Sequence, residues 1–229
     1  GQINGTSGYE EAAGQGLVAG LNAARHALGE ELITLGRDQA YIGVMLDDLV
    51  TTKPVEPYRL FTSRAEYRLL LRADNADARL TPLGRELGLV GDDRWQRWET
   101  RRDTLARIRS TMGEGPIAAA ARRHDTPYAQ VVAMLGDEAP RLVERVVTDL
   151  RYEGYVKRQE AQIRRAARSE RRRIPAWVEP SSVSGLRSEA IEVLKRFSPR
   201  TLGQASRLAG ITPADVSLLA IAIDRGFKI

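Results

Sequence analysis

The sequence predicts a mainly α-helical fold. Three observations carry that expectation. From Thr81 onward every segment between breakers reads as helix. The pairs Thr81-Pro82, Thr126-Pro127 and Thr212-Pro213 look like capped helix starts. The chain has 229 residues, 42% of them apolar, an ordinary globular level with enough material for a sizeable core.

Composition narrows the function classes. There is no cysteine, so disulfides and thiolate chemistry are excluded. No apolar run approaches the roughly 20 residues needed to span a bilayer, so no membrane association is expected, and the lack of cysteine fits a reducing cytoplasm. The formal charge is +5 and the isoelectric point is near 9.7. Only four of the 35 basic residues are lysine. Arginine suits bidentate phosphate contacts and stacking on bases, but a GC-rich coding sequence gives the same bias. Charge alone leaves both readings open.

Gly1 to Gly8 is too glycine-rich for a helix. Tyr9 to about Leu28 reads as one, although Gly14, Gly16 and Gly20 each cost roughly 1 kcal/mol relative to alanine. Such a helix needs a close neighbour, either packed backbone or a ligand. Tyr41–Val50 is a short apolar helix. Residues 51–58 carry two prolines and read as an extended connector. Arg64, Arg68 and Arg72 follow at four-residue spacing, which puts them on one surface of either a helix or a strand. Thr81-Pro82 opens a short helix, Asp92–Met112 a long polar one, and Thr126-Pro127 another that ends near Gly136. Pro140 to about Arg173 is one long helix, or two broken near Gly154. Pro175–Gly185 is a linker. Three short helices end the chain. They are Ser188–Phe197, one opened by a capping box at Thr201-Leu202-Gly203-Gln204, and one opened by Thr212-Pro213-Ala214-Asp215. The segments divide at 1–28, 29–80, 81–175 and 176–229.

Four features bear on function. The Gly1–Gly8 loop presents backbone N–H groups at a helix N-terminus, where the helix dipole attracts phosphate or an electron-rich ring; equally, it is a tight loop feeding a packed helix. Arginines interleaved with Tyr58, Phe61 and Tyr67 can bind phosphates and stack on splayed bases. They can also pair with Glu66, Asp74 and Asp77 as a solvated charged face. Arg164, Arg165, Arg168, Arg171, Arg172 and Arg173 surround a helix axis, as either a solvated surface or a diffuse RNA attractor. The three C-terminal helices need an apolar partner surface, within the chain or outside it. His26 and His124 are the only histidines. Neither has a metal-ligand or nucleophile pattern, so both are expected to be structural and no metal or catalytic residue is assigned.

The run from Gly1 to Ala24, GQINGTSGYEEAAGQGLVAGLNAA, resembles a signature of the MnmG (GidA) family. The resemblance continues through Glu56–Arg72 and Ala73–Thr81, Arg151–Glu160, Pro199–Arg207 and Gly210–Leu219. It implies the helical C-terminal region of a larger α/β flavoprotein. Residues 1–28 would be a truncated piece of its FAD-binding domain, with Gln2 as the flavin contact. It implies an enzyme that uses FAD, NADH as reductant and a folate one-carbon unit. That enzyme builds an aminomethyl or carboxymethylaminomethyl group on the five-position of the tRNA wobble uridine. It implies tRNA contacts at Arg59, Arg64, Arg68 and Arg72. It implies docking of the GTPase MnmE on the C-terminal helices, with Thr201, Leu202, Gln204, Leu218 and Leu219 as candidates, and a homodimeric full-length protein. The Gly-x-Gly-x-x-Gly turn expected upstream is not in this chain, and Gly1-Gln2-Ile3 reads as a point inside a longer protein. The chain alone is therefore expected to be inactive and to bind FAD weakly. The other readings are a free-standing helical nucleic-acid adaptor and a protein-interaction scaffold without catalysis.

Overall fold

Ten α-helices and no strand ladder make up the described residues, which are 1–51, 56–136 and 138–226 of this computed structural model. In chain order the helices are α1 (Tyr9–Ala27), α2 (Tyr41–Thr51), α3 (Ala76–Glu86), α4 (Asp92–Met112), α5 (Pro116–Arg122), α6 (Tyr128–Met134), α7 (Pro140–Arg171), α8 (Ser188–Phe197), α9 (Leu202–Ser206) and α10 (Pro213–Arg225). The mainly α expectation holds. The chain divides into two compact units: Gly1–Leu35 with Ile42–Arg64 and Glu160–Ile229, and Gly36–Tyr41 with Ala65–Gln159.

The second unit is built on helical periodicity. Val143, Val146, Val147 and Leu150 fall on one stripe of α7. They pack with Ile108 and Met112 of α4, Ala118 and Ala121 of α5, and Val131 of α6. Arginines tie the connecting segments to this core. Arg145, 9% exposed, pairs with Asp149 at 3.0 Å and Asp74 at 3.3 Å. Arg79 donates to Asn75 Oδ1 at 2.9 Å, to the Arg72 carbonyl at 3.1 Å, and to the Gln39 carbonyl. Arg151 donates to the Ala121 carbonyl at 3.0 Å and lies 4.4 Å from the centre of the Tyr128 ring. Each guanidinium offers donors in a fixed plane, which suits it to hold several carbonyls at once.

In the first unit α1 meets α2 at Gly14. A Cβ there would stand 3.2 Å from Ile42 Cγ1, so the glycine permits close helix contact. At Gly16 and Gly20 a Cβ would meet no atom within 4 Å, and only Gly14 has the close neighbour expected of the glycine-bearing helix. The C-terminal helices enclose Val178, Leu194, Leu202, Ala205 and Leu219, with Ile174, Ile211 and Val216 packed around them. An isolated bridge joins Arg173 to Thr201. Ile174 N–H reaches the Arg200 carbonyl at 2.9 Å and Leu202 N–H the Arg172 carbonyl at 3.0 Å.

Several boundaries differ from the sequence expectation. α3 starts at Ala76, so Pro82 lies inside it. Asp77 in its first turn accepts the Ala78 N–H at 2.8 Å and meets the helix dipole, and the helix loses only one hydrogen bond at the proline. α7 is unbroken at Gly154, which is exposed. Pairing of Glu153 with Arg109 at 3.2 Å and with Lys157 at 3.4 Å supports that turn. α5 is an addition to the expected elements; its alanine-rich seven residues carry little periodic signal. Thr201 caps α9 by accepting from Gln204 N–H, but Gln204 Oε1 accepts from Arg200 N–H at 2.8 Å, one residue before the reciprocal partner of a full box. The connector expected over residues 51–58 lies partly outside the described residues.

α10 does carry the full capping box, between Thr212 and Asp215. Asp215 is 2% exposed. Arg187 donates to it at 2.7 Å, Thr212 Oγ1 at 2.6 Å and Thr212 N–H at 2.8 Å. Arg187 first, and then the Thr212 hydroxyl, hold this carboxyl far below the ordinary carboxylate range. A depressed folded-state pKa contributes stability above the unfolded value of about 3.9 and loses it as pH falls toward the folded value. Wild type should therefore melt at a higher temperature than Asp215→Asn at pH 7, and the gap should shrink steadily below about pH 4. Circular dichroism melts across that range check it. A gap independent of pH would contradict the assignment.

Candidate functional site

The N-terminal loop is held from several sides. Gln2–Asn4 forms a 3-10 turn that ends at Gly5 in the left-handed region, φ 71°. Gln15 of α1, 6% exposed, accepts from Asn4 Nδ2 at 3.0 Å and donates to Thr6 Oγ1 at 2.6 Å. Thr6 and Tyr58 form a parallel bridge, with Tyr58 N–H on the Gly5 carbonyl at 2.7 Å. Gln2 and Ile3 are left exposed, Ile3 at 97%. A groove of about 610 Å³ runs beside them, lined by Gly1, Ile3, Asn4, Val18, Leu46 and Val50 among others.

Glu11 is the electrostatic centre of this region. It is 8% exposed and accepts the Leu60 N–H at 3.2 Å, with Arg59 Nε at 3.5 Å. Its own backbone N–H, then the Leu60 N–H and Arg59, hold its pKa below the usual value against the opposing effect of burial. The positive end of α1 is thus already met by a carboxylate of the chain. Gly8 makes room for it, because a Cβ there would fall 1.7 Å from Glu11 Oε2.

The arginine segment is neither helix nor strand. Thr62–Arg64 is a 3-10 turn and turns follow to Leu70. Four-residue spacing therefore does not build the single row that a regular element would give. Arg59 and Arg64 belong to the first unit, Arg68 and Arg72 to the second. The side chains of Arg59 and Arg64 are 55% and 42% exposed. Arg64 Nη1 lies 3.7 Å from Asp48, its guanidinium 5.0 Å from the Tyr58 ring centre, and its Nε donates to the Arg59 carbonyl at 3.1 Å. Asp48 also accepts the Tyr58 hydroxyl at 2.9 Å. Arg68 is exposed. Arg72 is engaged by Asp74 at 2.9 Å, by Asp149 and by the Leu69 carbonyl. Of the other acids considered as its partners, Glu66 pairs with Arg37 and Asp77 with Arg101.

At the basic end of α7 and just beyond it Arg164, Arg165, Arg168, Arg171 and Arg173 are exposed; Arg164, Arg168 and Arg171, four and three residues apart, share one face. Arg172 is drawn away to the Ala220 carbonyl and to Asp224. In the C-terminal helices Leu202 and Leu219 are core residues, 3% and 1% exposed. Thr201 and Gln204 are occupied as a cap and in the bond to Arg200 N–H. Leu218 is half-buried. It lines a second groove of about 270 Å³ with Trp177, Val183, Ile221 and Arg225. Trp177, in a turn after α7, and Ile221 of α10 are 46% and 45% exposed; their exposure carries no sequence signal, because it is set by what packs beside them. His26 and His124 are exposed, and no acid, histidine or cysteine cluster able to hold a metal occurs among the described residues. Nor is any helix among them long and apolar enough to cross a membrane.

Residues 162–228 match a family described as the tRNA modifying enzyme MnmG/GidA C-terminal helical bundle, and residues 1–31 match glucose inhibited division protein A. The tRNA uridine 5-carboxymethylaminomethyl modification enzyme MnmG of Listeria monocytogenes serotype 4b is 44% identical across 99% of this chain. The Streptococcus sanguinis enzyme of the same name is 43% identical across 98%. Aquifex aeolicus GidA in its form II crystal superposes with a TM-score of 0.78 at 40% identity, over 97% of this chain and 39% of that one. The chain belongs to the MnmG/GidA family. It spans about 40% of the length of the curated relatives it matches. The two matched MnmG/GidA segments include the Gln2 loop and the C-terminal helices, both parts of the first unit.

The Gly8–Glu11 contact is the tightest constraint in the loop. Gly8→Ala should displace the Glu11 carboxylate, release the Leu60 N–H, and cost about 1–3 kcal/mol. Hydrogen exchange at Leu60 should rise together with a lower urea midpoint. An unchanged midpoint and unchanged Leu60 protection would show that Glu11 does not hold the segment.

Proposed function

We propose that this chain is the tRNA-facing and partner-facing region of a flavin-dependent enzyme that modifies the five-position of the tRNA wobble uridine. One observation carries the reading. The segment bearing the exposed Arg59 and Arg64 is bridged, through Tyr58, to the Gly5–Thr6 loop that also presents Gln2. Phosphate-binding side chains and the flavin-facing loop are thus parts of one hydrogen-bonded framework. Acting in the cytoplasm, the whole enzyme would use NADH as reductant and a folate as one-carbon donor.

The residues fit FAD as one wall of its site. Gln2 and the backbone of residues 1–8 would line the flavin beside the apolar groove, and Gln15 and Glu11 keep that loop in shape. The Gly14-Gln15-Gly16 run lies within α1 and does not form a pyrophosphate-binding turn. When bound, the flavin supplies the redox chemistry; the residues of this chain orient it and the RNA. Arg59, Arg64 and Arg68 take phosphates, while Arg72 fixes the segment that carries Arg68. Arg164, Arg168 and Arg171 add a cationic face.

In full-length protein, Arg64→Ala with Arg68→Ala should weaken tRNA binding. It should also lower the slope of log affinity against log salt by about 1 to 2, close to one for each phosphate released. Filter binding across a salt series measures both quantities, and an unchanged slope would count against the reading. The same reading places MnmE on the C-terminal helices, supported by the exposed apolar pair Trp177 and Ile221 beside Leu218. Pull-down of MnmE by full-length protein should be lost on deleting residues 186–229. Retained association would remove this partner from the C-terminal helices.

A further inference from the structure

Phe61 is an exposed aromatic that the fold holds firmly from both sides. Its ring is 59% exposed, although burying a phenylalanine side chain is favourable by about 1.5–3 kcal/mol. The backbone around it is not loose. On one side Leu60 N–H is held by Glu11, and Tyr58, 2% exposed, is bridged to Thr6. On the other side the Phe61 carbonyl accepts the Arg64 N–H at 2.9 Å, which closes the Thr62–Arg64 turn. An apolar ring is therefore presented on an anchored turn.

Its flanks are cationic. The half-exposed guanidinium groups of Arg59 and Arg64 stand two residues before it and three after it, each steadied from the protein side by Glu11 or by Asp48 and Tyr58. An exposed ring on a turn that also carries two half-exposed arginines suits a ligand that has a π face and anionic groups. An unstacked nucleotide in a single-stranded RNA loop has that chemistry. A lipid surface or a cationic peptide does not.

We propose that Phe61 is the stacking platform for one splayed-out base of the bound RNA, with Arg59 and Arg64 on the neighbouring phosphates. This rests on the tRNA reading above. Because Phe61 lies three residues beyond the Tyr58–Thr6 bridge, the stacked base would sit on the same framework as the Gln2 loop.

The test uses full-length protein and an anticodon stem-loop RNA with 2-aminopurine substituted at successive loop positions. With wild type, one position should show a binding-dependent change in fluorescence. Phe61→Ala and Phe61→Leu should abolish that change and weaken binding about tenfold, the usual order for one stacked base. The salt slope should stay as in wild type, because the arginine–phosphate pairs remain in place. Phe61→Trp should keep both the affinity and the signal. Wild-type affinity and fluorescence in the leucine variant would overturn the proposal. If Phe61→Ala lowers the melting temperature and Phe61→Leu restores both stability and RNA affinity, Phe61 is a packing residue and the proposal also fails. A salt-dependent RNA affinity that no Phe61 variant alters would sink the stacking role and leave the tRNA reading standing. No salt-dependent RNA binding by wild type would remove both.

Discussion

The buried carboxylate of Glu11 is the constraint on which the candidate site depends. A charge in that position must be compensated by hydrogen bonds and an opposite charge. It finds its own backbone N–H in the first turn of α1, the Leu60 N–H, and Arg59. Meeting those demands fixes three things together: Gly8 must lack a side chain, Leu60 must approach α1, and Arg59 must lie over the helix start. The N-terminal loop and the segment from Tyr58 to Arg64 thereby become one unit of structure. The same carboxylate satisfies the attraction of the α1 dipole for an anion. On the proposed function, phosphate recognition in this region therefore falls to side chains.

The arginine excess separates into two populations with different physics. Arg72, Arg79, Arg145 and Arg151 in one unit, and Arg172, Arg187 and Arg207 in the other, are turned toward carboxylates or backbone carbonyls of their own unit. Arg207 reaches Asp47 of α2 at 2.9 Å, across 160 residues of sequence. These residues do the work that strand ladders or disulfides do elsewhere, closing irregular connections onto helices. Arg68, Arg164, Arg168 and Arg171 are exposed, and Arg59 and Arg64 combine partial exposure with pairing to Glu11 and Asp48; on the proposed function these six meet the anionic partner. Net charge alone mixes the two populations, so composition left the RNA question open.

Burial likewise sorts the C-terminal helices. Leu202 and Leu219 form the interior with Val178, Leu194 and Ala205, and a side chain so enclosed cannot meet another protein unless the helices open. Leu218, one residue away, faces the groove shared with Trp177 and Ile221. A shift of one position on a helix turns a side chain by about 100°, which is enough to separate a core residue from a surface residue.

The sequence by itself determined the helices with strong ends or clear stripes. Asp92–Met112 and Ser188–Phe197 are where the sequence places them, because helical spacing is a local signal. Its N-terminal run also carried the family likeness and the place of Gln2 in a loop before a helix. Only the tertiary structure decided what Arg72 does, since its partner Asp149 is 77 residues away. Only the tertiary structure showed that residues 61–73 form turns, because hydrogen bonds to Glu11 and Gln159 from Leu60 and Leu70 compete there with a regular ladder. Exposure of Phe61, Trp177 and Ile221 was decided in the same way. Each is an ordinary apolar residue in the sequence, and what covers it or leaves it bare depends on contacts that no local pattern encodes.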